Sequence, residues 1–123
     1  MAGFIKVEAE KLPVQALNTQ INKRIFYDFK VKCKERGLPL NIVIEIFMNQ
    51  YANGRYPLKI DDILKWKYNT EETETLNTTF NEEIYIKFKR NVKDQHLFVK
   101  HVIAAFIEDF TYNNTIFEIV KIN

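Results

Sequence analysis

One cysteine, three glycines, three prolines and two histidines in 123 residues exclude several kinds of protein. Cys33 alone closes no internal disulfide, which points to an intracellular, cytoplasmic setting. His96 and His101 have no convergent set of thiols or carboxylates at ligand spacing, so no metal site is expected. No glycine-rich loop is present to cradle a phosphate, and no cofactor is expected. Cys33 sits in an apolar pattern that reads as core. The acidic pairs Asp61–Asp62 and Glu82–Glu83 read as solvated faces or helix-start charges rather than acid/base pairs. No catalytic residue is therefore assigned. No apolar run approaches 18 residues, so no membrane span is expected, and the first residues lack the apolar core of a secretion signal.

An apolar content of 46%, with 14% aromatic residues, argues for a folded chain of one compact domain spanning 1–123. The net charge of +2 conceals an uneven spread. Residues 1–68 hold 12 basic and 7 acidic side chains (+5), while 69–123 hold 6 and 9 (−3). The first part suits a polyanion better than the second.

The chain also repeats itself. "ALNTQINKRIFYDFK" at 16–30 returns as "TLNTTFNEEIYIKFK" at 75–89, an offset of 59 residues. Pairing Leu17–Ile60 with Leu76–Ile119 needs no gap and gives 13 identities in 44 pairs, among them Asn22/Asn81, Phe29/Phe88 and Phe47/Phe106. Apolar character stays in register throughout. The chain is a duplication, and self-similarity at a fixed period is an architectural signal. Copy one spans 15–60, a linker 61–73, and copy two 74–119.

Each copy has the same pattern. Leu17, Thr19 and Ile21 alternate with Ala16, Asn18 and Gln20, and Leu76, Thr78 and Phe80 alternate with Thr75, Asn77 and Thr79. A two-residue period predicts a half-buried strand. Asn22 and Asn81 stand where a helix cap belongs. Ile25, Phe26, Phe29 and Cys33 then keep helical spacing, as do Ile84, Tyr85, Phe88 and Val92. Gly37 suits the left-handed end of the first helix. A second helix follows, with Val43, Ile44, Phe47, Met48 and Tyr51 matched by Val102, Ile103, Phe106, Ile107 and Phe110. Ile42 and Ile46 lie outside that stripe and place this helix in the middle of an interface. "YPLKI" and "TIFEIVKI" are β-branched or apolar enough for one more short strand each. "DDILKWK" at 61–67 suggests a helical turn before a polar linker.

A lone strand cannot satisfy its backbone, and two helices cannot enclose a core, so each copy needs a partner. A strand–helix–helix unit with an alternating strand and a capped first helix resembles the ribbon-helix-helix family of DNA-binding proteins, the Arc/MetJ/CopG type. The resemblance covers about 16–56 and 75–114. It implies an α+β, mostly helical fold: two ribbon-helix-helix units in one chain, forming an intramolecular pseudo-dimer with a two-stranded antiparallel ribbon. It implies a sequence-specific binder of double-stranded DNA that inserts the ribbon into the major groove. The groove-facing positions match Ala16, Asn18 and Gln20, and Thr75, Asn77 and Thr79. Asn and Gln can bond adenine bidentately, and Thr can contact base edges.

The family also holds a phosphate at the start of its second helix, here Pro39–Asn41 and Phe98–Lys100, with Asn41, Lys100 and His101 as the matching candidates. Neither copy has the usual Ser or Thr cap. Lys23 and Arg24 are further phosphate candidates in copy one, where copy two has Glu82 and Glu83, so the two halves would meet DNA unequally. The family's range extends to transcriptional repressors, plasmid copy or partition regulators and relaxosome accessory proteins of conjugation. A relaxase or another mobile-element protein, and self-association on DNA, are then possible partnerships. A protein-interaction module, antitoxin-like or inhibitory, is the alternative, given the near-neutral charge and acidic second copy.

Overall fold

The computed structural model describes residues 14–113, with Val14 described by its backbone alone. Within that range the chain runs β1 (Val14–Asn22), α1 (Lys23–Glu35), α2 (Leu40–Ala52), α3 (Ile60–Leu64), a 3-10 turn (Lys65–Tyr68), β2 (Thr73–Asn81), α4 (Glu82–Asp94) and α5 (Val99–Tyr112). It is a small, mostly helical α+β fold with one two-stranded antiparallel sheet.

Local chemistry sets the element ends. Asn22 Oδ1 accepts from the Ile25 backbone N–H at 3.1 Å, and Asn81 Oδ1 accepts from Ile84 at the same distance. Each satisfies an amide that the first helical turn leaves unpaired. Helix α1 ends at Gly37, with φ +63°, where the Gly37 and Leu38 amides donate to the Lys34 and Cys33 carbonyls. Helix α4 ends in the same double bond from His96 and Leu97 to Lys93 and Val92. His96 adopts φ +59° there, the left-handed conformation that glycine tolerates best.

The strands pair antiparallel within the chain, somewhat longer at both ends than the 16–21 and 75–80 read from alternation. Asn18 faces Asn77, its own equivalent at the 59-residue offset. On either side Ala16 faces Thr79 and Gln20 faces Thr75, and these two pairs exchange under the same offset. The register is thus self-reciprocal. Leu17, Ile21, Leu76 and Phe80 are buried beneath the ribbon. A one-residue slip would turn all four outward, which fixes the pairing.

Each first helix packs on the other copy's second helix: α1 lies against α5, and α2 against α4. At the centre the Phe47 and Phe106 rings stack at 4.0 Å between centroids, again equivalent residues. Phe29 meets Phe106 edge-on at 6.1 Å, and Phe88 meets Phe47 edge-on at 5.8 Å. Phe29–Phe110 and Tyr51–Phe88 repeat the pattern at 5.6 and 5.7 Å. All six rings are buried, so one aromatic core joins the copies and neither has a core of its own.

Two expectations are corrected. The segment after α2 forms no third strand: Tyr56 is buried and Leu58 half-buried, but 55–59 lies outside the sheet. Pro57 has no N–H to donate to a ladder, and among the described residues the sheet consists of β1 and β2. The chain instead turns helical at Ile60–Leu64, with Asp61 and Asp62 favouring the positive end of that turn. The matching strand at "TIFEIVKI" falls outside the described residues. Secondly, α2 does pack on α4 through its main stripe, but Ile42 and Ile46 do not widen that interface: Ile42 is 41% exposed and Ile46 half-buried. In α5 every residue from His101 to Ile107 is buried.

Candidate nucleic-acid interface

The two-residue period sends Ala16, Asn18 and Gln20 of β1, and Thr75, Asn77 and Thr79 of β2, to the outer face, and all six are exposed. Thr73 continues that row, one strand position beyond the alternation read from sequence. "TETLNTT" already carried the period through it. Near one end the Gln20 amide is held: its Nε2 donates to Thr75 Oγ1 at 2.7 Å, and Thr73 Oγ1 donates to its Oε1 at 3.1 Å. At the midpoint Asn18 and Asn77 stand side by side with no side-chain hydrogen bond among the described residues. The outer face is therefore a polar strip with two amide groups available at its centre. A ribbon of this width fits the major groove.

Lys23 and Arg24 open α1 and are exposed, but they are not free cations. Lys23 Nζ lies 3.7 Å from Glu72, and Arg24 Nε lies 3.5 Å from Glu71. Lys30 bonds Glu74 at 3.0 Å. Glu71 also accepts from Asn22 Nδ2, and that hydrogen bond, then the Arg24 charge, holds its carboxyl below the usual range. The Lys23 amide donates to the Glu72 carbonyl at 2.9 Å, so the linker is bound to the helix start by backbone as well. Sequence reasoning missed this acidic bracket. Its signal was the run "EETE" at 71–74, which leads into β2 and occupies its first two positions.

The second-helix starts also divide. Asn41 and Lys100 are exposed at the beginnings of α2 and α5, and neither helix has a side-chain cap, Pro39 and Phe98 occupying the cap positions. Unclaimed amides there suit an anion. His101 is placed otherwise than expected. Its side chain is buried edge-on against Phe98, at 5.4 Å between ring centres. Burial, then the charges of Lys100 and Lys67, lowers its pKa. A phosphate at this helix start would meet Lys100 and backbone rather than a histidine cation.

Cys33 is buried in the core, and desolvation pushes its thiol up to about 11, so it is held neutral. Among the described residues no group of three His, Cys, Asp or Glu side chains is placed to hold a metal ion, and no helix is long and apolar enough to cross a membrane. Comparison with protein-family models, with curated proteins and with solved structures finds no match to this chain.

Proposed function

We propose that the chain is a tandem ribbon-helix-helix protein that binds double-stranded DNA sequence-specifically, with the β1–β2 ribbon in the major groove and no catalytic step. One observation carries this reading: an exposed polar strip whose central pair, Asn18 and Asn77, keeps both amides unengaged. An asparagine amide can donate to and accept from adenine at N6 and N7 together. Exposed Asn41 and Lys100 beside uncapped helix starts would supply phosphate contacts that set the register. Gln20 and Thr75, already bonded to each other, would read as a unit or exchange their bond for one to a base edge.

The copies differ at every outer position except Asn18/Asn77, so the site recognised is not palindromic. A cytoplasmic transcriptional repressor, or an accessory protein of a plasmid or other mobile element acting beside a relaxase, is the role this reading carries. Selection from a random duplex pool, followed by anisotropy titration on selected and scrambled duplexes at two salt concentrations, tests it. Enrichment of one asymmetric sequence with salt-dependent affinity is the expected result. Binding to neither duplex overturns it.

The acidic bracket favours a second reading, a protein-interaction module that keeps the fold without DNA binding. Glu71, Glu72 and Glu74 occupy cations that a phosphate would need. Glu71→Gln with Glu72→Gln separates the two. If DNA is the ligand, the double variant binds every duplex more tightly and with a steeper salt dependence, because two cations are released to phosphates. If it is not, the variant binds DNA no better.

A further inference from the structure

The two second helices are covered differently. Chain that follows α2 crosses to α5 and roofs it: Ile63 is fully buried, Tyr56 O–H donates to Asp109, and Lys65 pairs with Glu108. Leu58 and Asp62 run beside Ala105 in the same place. At the 59-residue offset, Ala105, Glu108 and Asp109 correspond to Ile46, Asn49 and Gln50 of α2. Those three residues line an open groove of about 390 Å³, flanked by Ile42, Arg55 and Ile84, with Glu45 at its edge. Among the described residues nothing roofs it, and Ile42 is left 41% exposed.

The duplication says which segment belongs there. The roof of α5 is copy one's own extension, "RYPLKIDDIL" at 55–64. The same offset places "NTIFEIVKIN", residues 114–123, after α5. Leu58, Ile60 and Ile63 recur there as Phe117, Ile119 and Ile122. The packing contacts between the copies are reciprocal: β1 with β2, α1 with α5 against α2 with α4, and Phe47 on Phe106. We propose that the groove on α2 is the seat of residues 114–123 of the same chain, which cross from copy two to copy one as 55–64 cross from copy one to copy two. Charges complement each other, since Glu45 and Arg55 border the groove and the segment carries Lys121 and Glu118. The floor is not identical. Ala104 and Ala105 let the α3 segment lie close on α5, whereas Glu45 and Ile46 are larger, so the seat on α2 is shallower.

The test uses the full chain with Cys33→Val, the residue that copy two carries at that position, and Lys121→Cys bearing a nitroxide. In the isotope-labelled protein, the amides of Glu45, Ile46 and Asn49 should lose intensity while Ala105 and Glu108 keep theirs. Adding Ile42→Asp should restore the lost signals and leave the α5 resonances in place, because Ile42 lies outside the aromatic core. Unbroadened groove amides, or broadening confined to α5, overturn the proposal. So does broadening that also appears when spin-labelled chains are mixed with separately isotope-labelled ones, which would put a second copy in the groove.

Discussion

Helices α1 and α4 begin alike and are stabilised differently. Both take an asparagine cap with the same 3.1 Å bond, because the unpaired amide it serves is a property of any helix. Helix α4 then places Glu82 and Glu83 in its first turn, favourable at the positive end of the dipole. Helix α1 carries Lys23 and Arg24 there, unfavourable by the same argument. Its acid arrives from the linker instead, through Glu71 and Glu72. The two helices share the backbone requirement and differ in charge, and the difference is answered from elsewhere in the chain. The pairs are exposed, so each contributes little to stability. Their weight falls on what the two halves can bind.

The largest test of equivalence is at the centre. Phe47→Ala and Phe106→Ala should each cost about 3–5 kcal/mol, and by similar amounts if the stacked pair serves both copies equally. Denaturant melts check this; one severe and one mild loss would break the symmetry of the core. On the ribbon, Asn18→Ala and Asn77→Ala should each lose roughly 1–3 kcal/mol of cognate affinity, at different bases, while melting as the parent does. Titration against single-base variants of the selected site reads this. Unchanged affinity in both would remove the ribbon as the reader.

His101 against Ile42 gives a smaller, pH-dependent contrast. Burial and the charges of Lys100 and Lys67 lower the folded-state pKa of His101 below its ordinary 6.5, so the unfolded chain takes up the proton first. Its contribution to stability is complete above about pH 6.5 and declines as pH falls from there towards the folded pKa. His101→Ile, which copies Ile42, should flatten that part of the stability–pH curve. An unchanged slope would locate the acid sensitivity elsewhere. The smallest effect belongs to the helix ends. His96→Gly should gain about 1 kcal/mol, since Gly37 holds the same left-handed conformation without a Cβ penalty. Thermal melts of His96→Gly and of Gly37→His, expected to shift in opposite directions, check it.

What sequence could supply was whatever repeats locally. Alternation at Leu17–Ile21 and Leu76–Phe80 placed the strands and their inner faces, Asn22 and Asn81 placed the helix starts, and the aromatic spacing placed the core. Strand pairing followed because neither strand had another partner. The failures share one cause. The bracket on Lys23 and Arg24, the burial of His101 and the crossing of 55–64 onto α5 depend on which surface another segment reaches, and no local period encodes that. "YPLKI" misled because β propensity reflects fit to a half-buried surface, and Tyr56 finds that surface against Phe47 and Phe106 rather than in a sheet.

The self-reciprocal ribbon has a cost in time. β1 cannot pair until β2 exists, and β2 begins 59 residues after the matching point of β1. At translation rates of about 5–20 residues per second, copy one waits on the ribosome for roughly 3–12 s with its strand unpaired and its helices lacking their partners. Contacts so distant along the chain also slow the search for the fold once synthesis is complete. During that interval the first half is most open to pairing with the first half of a neighbouring nascent chain. Two chains emerging from one message could exchange halves, each supplying the strand the other awaits.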